Sequence, residues 1–277
     1  MGIALARACP SLMSSTPSVV RVAALGDLHF GKASQGAFQQ LFGHVSQQAD
    51  LLLLCGDFTD YGLPEEAKAL VREISSSLRI PILAVLGNHD YHSGKQDEIT
   101  AILRDGGVIV LDGDAHEVLG IGFAGVKGFG GGFGPRALGP WGEEIFKRFV
   151  HEAVEEALKL ESALARLRTP HRLVLLHYAP IQETCEGEPV EIYPFLGSSR
   201  LEEPINRYNV SAVVHGHAHR GQPEGRTATG VPVYNVSLPL MTRLNPERHF
   251  RVLELPRDAP KDPTDPSLLA PTTASAA

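Results

Sequence analysis

The sequence predicts an α/β protein with at least partly parallel strands, and three observations carry that expectation. Apolar runs at Val19 to Leu25, Asp50 to Cys55 and Ile80 to Leu86 each stop at a glycine followed by polar residues, which is the pattern of buried strands feeding loops. Segments of mixed apolar spacing, Gly36 to Ala49 and Pro64 to Leu78, lie between them, so strand and helix alternate as in βαβ units. In such sheets ligands collect at the carboxyl ends of the strands, where all three polar loops would lie.

The first run ends in Gly26-Asp27-Leu28-His29, the second in Gly56-Asp57 and the third in Gly87-Asn88-His89-Asp90. Pro64 suits the first turn of the second helix, where its missing N–H costs nothing. Val108 to Leu111, Glu117 to Leu119 and Ile121 to Val126 read as short strands without long helices between them, so a second, more antiparallel sheet is expected to begin there. Gly128 to Pro135 is a flexible loop by composition, yet its two phenylalanines suit a wall or lid over substrate. Glu143 to Arg168 forms a long helix with Ile145, Phe149, Ala153, Leu160 and Leu164 at helical spacing, and its charges form a solvated face. His171 to Leu176 is a strand that ends in His177. An irregular segment, Thr184 to Ser198, and a short helix lead to a strand at Ser211 to Val214, which ends in His215-Gly216-His217-Ala218-His219. Val231 to Ser237 and Phe250 to Leu255 are closing strands. The chain thus divides into a flexible N-terminal segment (1–18), one domain (19–255) and a disordered tail (256–277) too polar and proline-rich to bury a core.

With 277 residues, 43% hydrophobic and 21% charged, the chain can bury a sizeable core. A net charge of -7 and a pI near 5.9 provide no basic field for a long polyanion, so extended nucleic acid is a disfavoured partner and a small phosphoester a favoured one. The sequence is compatible with a homo-oligomer. Cys9, Cys55 and Cys185 are too scattered for a disulfide framework or a zinc knuckle, and Cys55 reads as a small buried residue. No apolar run approaches the ~20 residues of a membrane span, and Met1 to Ser18 lacks a signal-like block; a cytoplasmic protein is expected.

Each polar cluster alone is a common strand-end feature. The ordered set is not: Asp27-x-His29, Asp57, Asn88-His89-Asp90, His177 and His217-x-His219 each directly follow an apolar strand. Carboxylates, imidazoles and an amide oxygen would then surround one cavity, a ligand mix suited to Mn²⁺, Fe, Zn²⁺ or Co²⁺. These five motifs resemble those of the calcineurin-like metallophosphoesterase superfamily, over roughly Val19 to Leu255. The resemblance implies a four-layer αββα sandwich, two mixed β-sheets flanked by helices. It also implies two divalent metal ions, manganese, iron or zinc. One would be held by Asp27, His29, Asp57 and His219, the other by Asp57, Asn88, His177 and His217, with Asp57 bridging. A water between the ions would lose its proton near neutral pH and attack the phosphorus in line. His89 resembles the family's general acid or phosphate-binding group, and Asp90 would orient its imidazole and favour its protonated form. His215 matches no ligand position and reads as structural, while His44, His92, His116, His151, His171 and His249 match no motif.

The substrate is narrowed by departures from the family's branches. Gly56-Asp57-Phe58-Thr59-Asp60-Tyr61-Gly62 lacks the arginine that protein phosphatases of the superfamily place there, and His89 replaces the arginine of the branch acting on lipid A precursors. The pattern is closer to bacterial phosphodiesterases of the cyclic-nucleotide type, so a small phosphodiester or nucleotide-like ester is the expected substrate. A phosphomonoesterase, a nuclease of the same superfamily and a non-catalytic binding module on the same fold are the alternatives. Filled ligand positions weigh against the last.

Overall fold

Side-chain alternation along the first strands sets the layers. In the computed structural model, which describes residues 19–31, 34 and 36–256, β1 (Val19–Leu25), β2 (Leu51–Cys55) and β3 (Ile82–Val85) run parallel, with Val22 opposite Leu51 and Leu52 opposite Ile82. Successive residues of a strand face opposite sides. Ala23, Leu25, Leu52, Leu54 and Ala84 therefore pack on one side against Phe42 of α1 (Gln39–Gln48), Leu70 of α2 (Pro64–Ser77) and Leu103 of α3 (Gln96–Asp105). Val22, Ala24, Leu51, Leu53 and Leu83 face the other way, against Phe123, Leu173, Leu175 and Val214 of a second sheet. Beyond that sheet, Ala124, Val174 and Val213 meet Leu160, Ala163 and Leu164 of α4 (Glu144–Arg166). The result is helices, sheet, sheet, helices, the four-layer sandwich expected. Leu51 to Leu54 are all fully buried, each contributing roughly 1.5–3 kcal/mol.

The first sheet has the order β11-β1-β2-β3-β4, in which β4 (Ile109–Val110) is parallel to β3 and β11 (Arg251–Pro256) closes the edge antiparallel to β1. The second contains β5 (Asp114–Val118), β6 (Ile121–Gly125), β7 (Arg172–Leu175), β8 (Ala212–His215), β9 (Glu224–Arg226) and β10 (Pro232–Asn235), in the order β5-β6-β7-β8-β10-β9. It is less antiparallel than the sequence suggests. Its interior pairs are parallel, and only the edge pairs β5·β6 and β10·β9 are antiparallel. The crossovers that parallel pairing requires are supplied downstream, by α4 before β7 and by α6 (Glu202–Arg207) before β8.

Three local expectations are corrected. α3 is absent from the sequence reading, although Ile99, Ile102 and Leu103 carry the i, i+3, i+4 spacing of a helix that buries one edge. Ile145 of α4 is 61% exposed instead of buried. The glycine-rich stretch is not a free loop: Gly130 to Phe133 are buried and donate to a neighbouring segment, Gly131 N–H to the Pro194 carbonyl (2.7 Å) and Gly132 N–H to that of Gly197 (2.9 Å). A β-carbon at Gly130 would stand 2.4 Å from the Pro194 oxygen, so glycine there permits a close backbone approach. The partner segment contains α5 (Tyr193–Leu196) and lies within the irregular Thr184 to Ser198 stretch. The 1–18 segment, with Cys9, and positions 257–277 of the tail lie outside the described residues.

Candidate metal centre

The five polar loops meet because the carboxyl ends of both sheets share one edge. Backbone hydrogen bonds stitch them together: Asp27 N–H to the Gly56 carbonyl (3.0 Å), His29 N–H to that of Asp57 (2.9 Å) and Gly216 N–H to that of His177 (3.2 Å). The backbone N–H of His217 donates to both oxygens of Asp27, each at 3.0 Å. Asp27, His29, Asp57 and Asn88 come from the first sheet, and His177, His217 and His219 from the second.

The side chains gather into overlapping groups whose potential ligand atoms lie within 4.8 Å of one another: Asp27, His29 and His219; Asp57, His177 and His217; and His29, Asp57 and His89. Asn88 joins the second, its Oδ1 2.9 Å from His177 Nε2. The two oxygens of Asp57 face opposite ways, Oδ2 at 3.8 Å from His29 Nε2 and Oδ1 at 3.4 Å from His177 Nε2. Carbonyl groups hold the imidazoles from behind. His177 Nδ1 donates to the Cys55 carbonyl (2.8 Å) and His217 Nε2 to that of Phe195 (3.0 Å), which leaves Nε2 of the one and Nδ1 of the other with a lone pair for a cation.

Backbone strain is concentrated here. Asp27 (φ 59°), His29 (φ 43°), Asp57 (φ 51°) and His217 (φ 69°) all occupy the left-handed region, which costs on the order of 1–3 kcal/mol per non-glycine residue and persists where surrounding structure enforces it. Gly56 (φ 79°) enforces it from beside, because a β-carbon there would lie 2.6 Å from His177 Nδ1 and 2.7 Å from the Gly87 nitrogen. At Gly87 a β-carbon would lie 2.1 Å from Asp57 Oδ1. These glycines let the carboxylate sit against backbone.

The electrostatics ask for positive charge. Burial, with the charges of Asp27 and Asp90, pushes the Asp57 carboxyl well above the ordinary range. Burial also holds His177 well below its ordinary value and His217 down at about 3, so both imidazoles are neutral lone-pair donors. At His219 burial is the largest single influence and works in the same direction, but the hydrogen bond to Asp27 Oδ1 (3.0 Å) and the charges of Asp27 and Glu188 together exceed it and the pKa rises. His29 Nε2 is buried with no hydrogen-bond partner among the described residues. An orphaned imidazole nitrogen, clustered carboxylates and neutral histidines are together what divalent cations satisfy, so the donor set fits the metals expected.

The structure brings all seven expected ligands to this edge, with His89 among them. It corrects the role given to Asp90. That carboxylate is fully buried and accepts from Gly87 N–H (2.8 Å), Thr59 N–H (3.0 Å), the Thr59 hydroxyl (2.7 Å) and Phe58 N–H (3.4 Å), so it locks the β2 loop to the β3 loop. The His89 imidazole is held instead by the Asp60 carbonyl, 2.7 Å from Nδ1. Asp60 was missed in the sequence, as were the carbonyls of Cys55 and Phe195; a backbone oxygen has no residue type to betray it. His215 belongs to none of the groups; its ring is fully buried against the Thr184 hydroxyl (2.8 Å).

No helix among the described residues is long and apolar enough to cross a membrane. A family model described as calcineurin-like phosphoesterase matches residues 20–221. Among solved structures, the chain resembles the phosphopantetheinyl hydrolase PptH of Mycobacterium tuberculosis, with 16% identity, a TM-score of 0.63 and coverage of 86% of this chain and 97% of that one. It also resembles TT1561 of Thermus thermophilus, with 14% identity, a TM-score of 0.53 and coverage of 87% and 100%. At these identities the likeness is one of fold. No curated protein matches the sequence significantly.

Proposed function

Since the chain belongs to the calcineurin-like phosphoesterase family and is thereby a metal-dependent phosphoester hydrolase, we propose that it carries two divalent cations across Asp57 and hydrolyses a small phosphodiester or nucleotide-like phosphoester. The observation that carries the two-cation reading is the divided facing of Asp57, with one oxygen toward His29 and the other toward His177. Asp27, His29, Asp57 and His219 would hold one ion, and Asp57, Asn88, His177 and His217 the other. Bound there, the ions would supply Lewis-acid charge that activates water and offsets charge developing on the phosphoryl group.

The chain's own residues do the rest. The Cys55 and Phe195 carbonyls fix the orientation of His177 and His217. Asp90 fixes the position of the Gly87-Asn88 turn through the Gly87 N–H. His89, held at Nδ1 by Asp60, keeps Nε2 free to deliver a proton to a departing oxygen. The acidic surface, with its net charge of -7, favours a small substrate over an extended polyanion.

Asp57→Asn tests this reading. Losing a charge shared by two ions should weaken both sites, so metal analysis of the purified variant should show depletion of both ions, with turnover of bis-p-nitrophenyl phosphate falling about 100-fold or more. Two ions at full occupancy together with normal turnover would sink it. A panel of cyclic nucleotides, nucleoside monophosphates and generic diesters, with Mn²⁺ supplied, separates diesterase from monoesterase.

A further inference from the structure

Lys127 follows β6, and its carbonyl accepts the backbone N–H groups of His177 (3.0 Å) and Tyr178 (3.1 Å). Its side chain is less easily explained. The residue is 8% exposed, and its ammonium, which has three donors, makes one hydrogen bond among the described residues, to the Gly128 carbonyl at 2.7 Å. Three rings surround it, with centroids at 4.9 Å (Phe129), 5.4 Å (Tyr178) and 5.5 Å (Tyr91). The buried carboxylate nearby, Glu156, is engaged by Gly128 N–H and the Lys159 ammonium, both at 2.8 Å. Aromatic faces attract a cation, but taking an ammonium out of water costs several times more than a ring returns. Two of the ammonium's three donors are left without a hydrogen-bond partner among the described residues.

There is room for one. Lys127 lines a cavity of about 190 Å³ beside α3 and the ends of β3 and β4, together with Tyr91, Thr100, Arg104, Asp97 and Asp112. Asp112 is paired with Lys159 (3.1 Å), Asp97 is exposed, and Arg104 commits Nη2 to the Val110 carbonyl (3.1 Å), so Lys127 and the remainder of the Arg104 guanidinium provide the cavity's uncommitted positive charge. The cavity adjoins the metal centre. Tyr91 ends the turn that carries His89, and the Tyr178 ring that touches the ammonium also lies 4.6 Å from the His217 ring and 5.4 Å from that of His177.

We propose that this cavity binds a second anionic group of the substrate, a phosphate or carboxylate several bonds from the ester under attack, with Lys127 as its main partner and Arg104 as its second. The inference rests on the phosphoesterase reading, since it places the reacting phosphoryl group at the metal centre next door. Substrates bearing a second anion are thereby selected over plain diesters.

Calorimetry on the Mn²⁺-loaded full chain, with adenosine 5′-monophosphate and adenosine 3′,5′-bisphosphate as probes, measures this without requiring turnover. The bisphosphate should bind at least about tenfold tighter, the weight of one charge-assisted hydrogen bond. Lys127→Met should reduce that preference to about threefold or less while leaving the monophosphate affinity and bis-p-nitrophenyl phosphate hydrolysis within about twofold of wild type. Arg104→Gln should shift the preference in the same direction by a smaller factor, and it carries the test if Lys127→Met does not fold. No bisphosphate preference in the wild type, or equal weakening of both ligands by the variants, overturns the inference. Failure of the metal-loaded wild type to hydrolyse any monoester or diester of the panel would instead overturn the phosphoesterase reading, and the binding ratio would still be read.

Discussion

At the scale of single residues, His89 separates three roles that the sequence alone could not. Its imidazole is fixed by Asp60 through Nδ1, yet its ring nitrogens also fall in a ligand-sized group with His29 and Asp57. A proton donor matters in proportion to how poor the leaving group is, and general acid catalysis contributes typically ~10²- to 10⁴-fold. His89→Ala should therefore retain its metals, lose most activity on a cyclic nucleotide or alkyl ester, and retain far more on bis-p-nitrophenyl phosphate. Equal fractional losses would indicate positioning of the phosphate, and loss of an ion would make His89 a ligand. His215 offers a different measurement. Burial holds its imidazole down at about 4, against an ordinary 6.5, with the Gly216 carbonyl and Asp27 opposing weakly. The unfolded chain takes up a proton there as pH falls below 6.5 and the folded chain does not until about 4, so the stability this histidine contributes is present above that window and lost across it, an effect of about 3 kcal/mol. His215→Gln should flatten the fall in Tm between pH 7 and pH 4 relative to wild type. Parallel Tm profiles would show that the residue titrates normally. The convergence of the expected ligand residues was legible because their types and order are chemically unusual; the left-handed backbone at Asp27, His29, Asp57 and His217 was not, since nothing in an aspartate or histidine announces a positive φ.

At the scale of elements, legibility followed how completely each segment is buried. β1, β2 and β3 are covered on both faces, and their uninterrupted apolar runs announced them. α3 packs on one edge with three apolar residues, Ile99, Ile102 and Leu103, doing the packing and was hidden by its polarity. The glycine-rich stretch misled for a related reason, because composition equates glycine with flexibility, whereas Gly130 is a glycine so that the chain can lie against the backbone at Pro194, and Gly131 and Gly132 hydrogen-bond to the same segment. The glycine-rich stretch thus forms one unit with the irregular Thr184 to Ser198 segment, whose carbonyl at Phe195 reaches His217. The parallel interior of the second sheet was illegible locally, since a helix 18 residues beyond β6 decides it.

At the scale of the whole molecule, the sandwich is held by three apolar clusters while its open edge concentrates charge. Burying Asp57, and packing it beside Asp27 and Asp90, is unfavourable without cations, as the upward shift of its carboxyl records. An ion that binds the folded chain alone, present at about a hundredfold over its Kd, adds about 2.7 kcal/mol. Chelation should accordingly lower Tm by roughly 5–10 °C per ion for a domain of this size, and added Mn²⁺ or Zn²⁺ should restore it. A Tm indifferent to chelator would argue that the carboxylates are accommodated by protons alone.

The division of ligands between the sheets has a consequence for how the chain matures. Both proposed ligand carboxylates, Asp27 and Asp57, are made early and belong to the first sheet; three of the four proposed ligand imidazoles, His177, His217 and His219, come from the second, more than a hundred residues after Asp57. A nascent chain that has released only its first half presents both carboxylates with His29 as their one imidazole partner, and neither half alone offers the complete proposed coordination set. On the two-cation proposal, metal capture would be a late checkpoint: an ion would be retained once the two halves have docked in register, and loading would certify correct assembly.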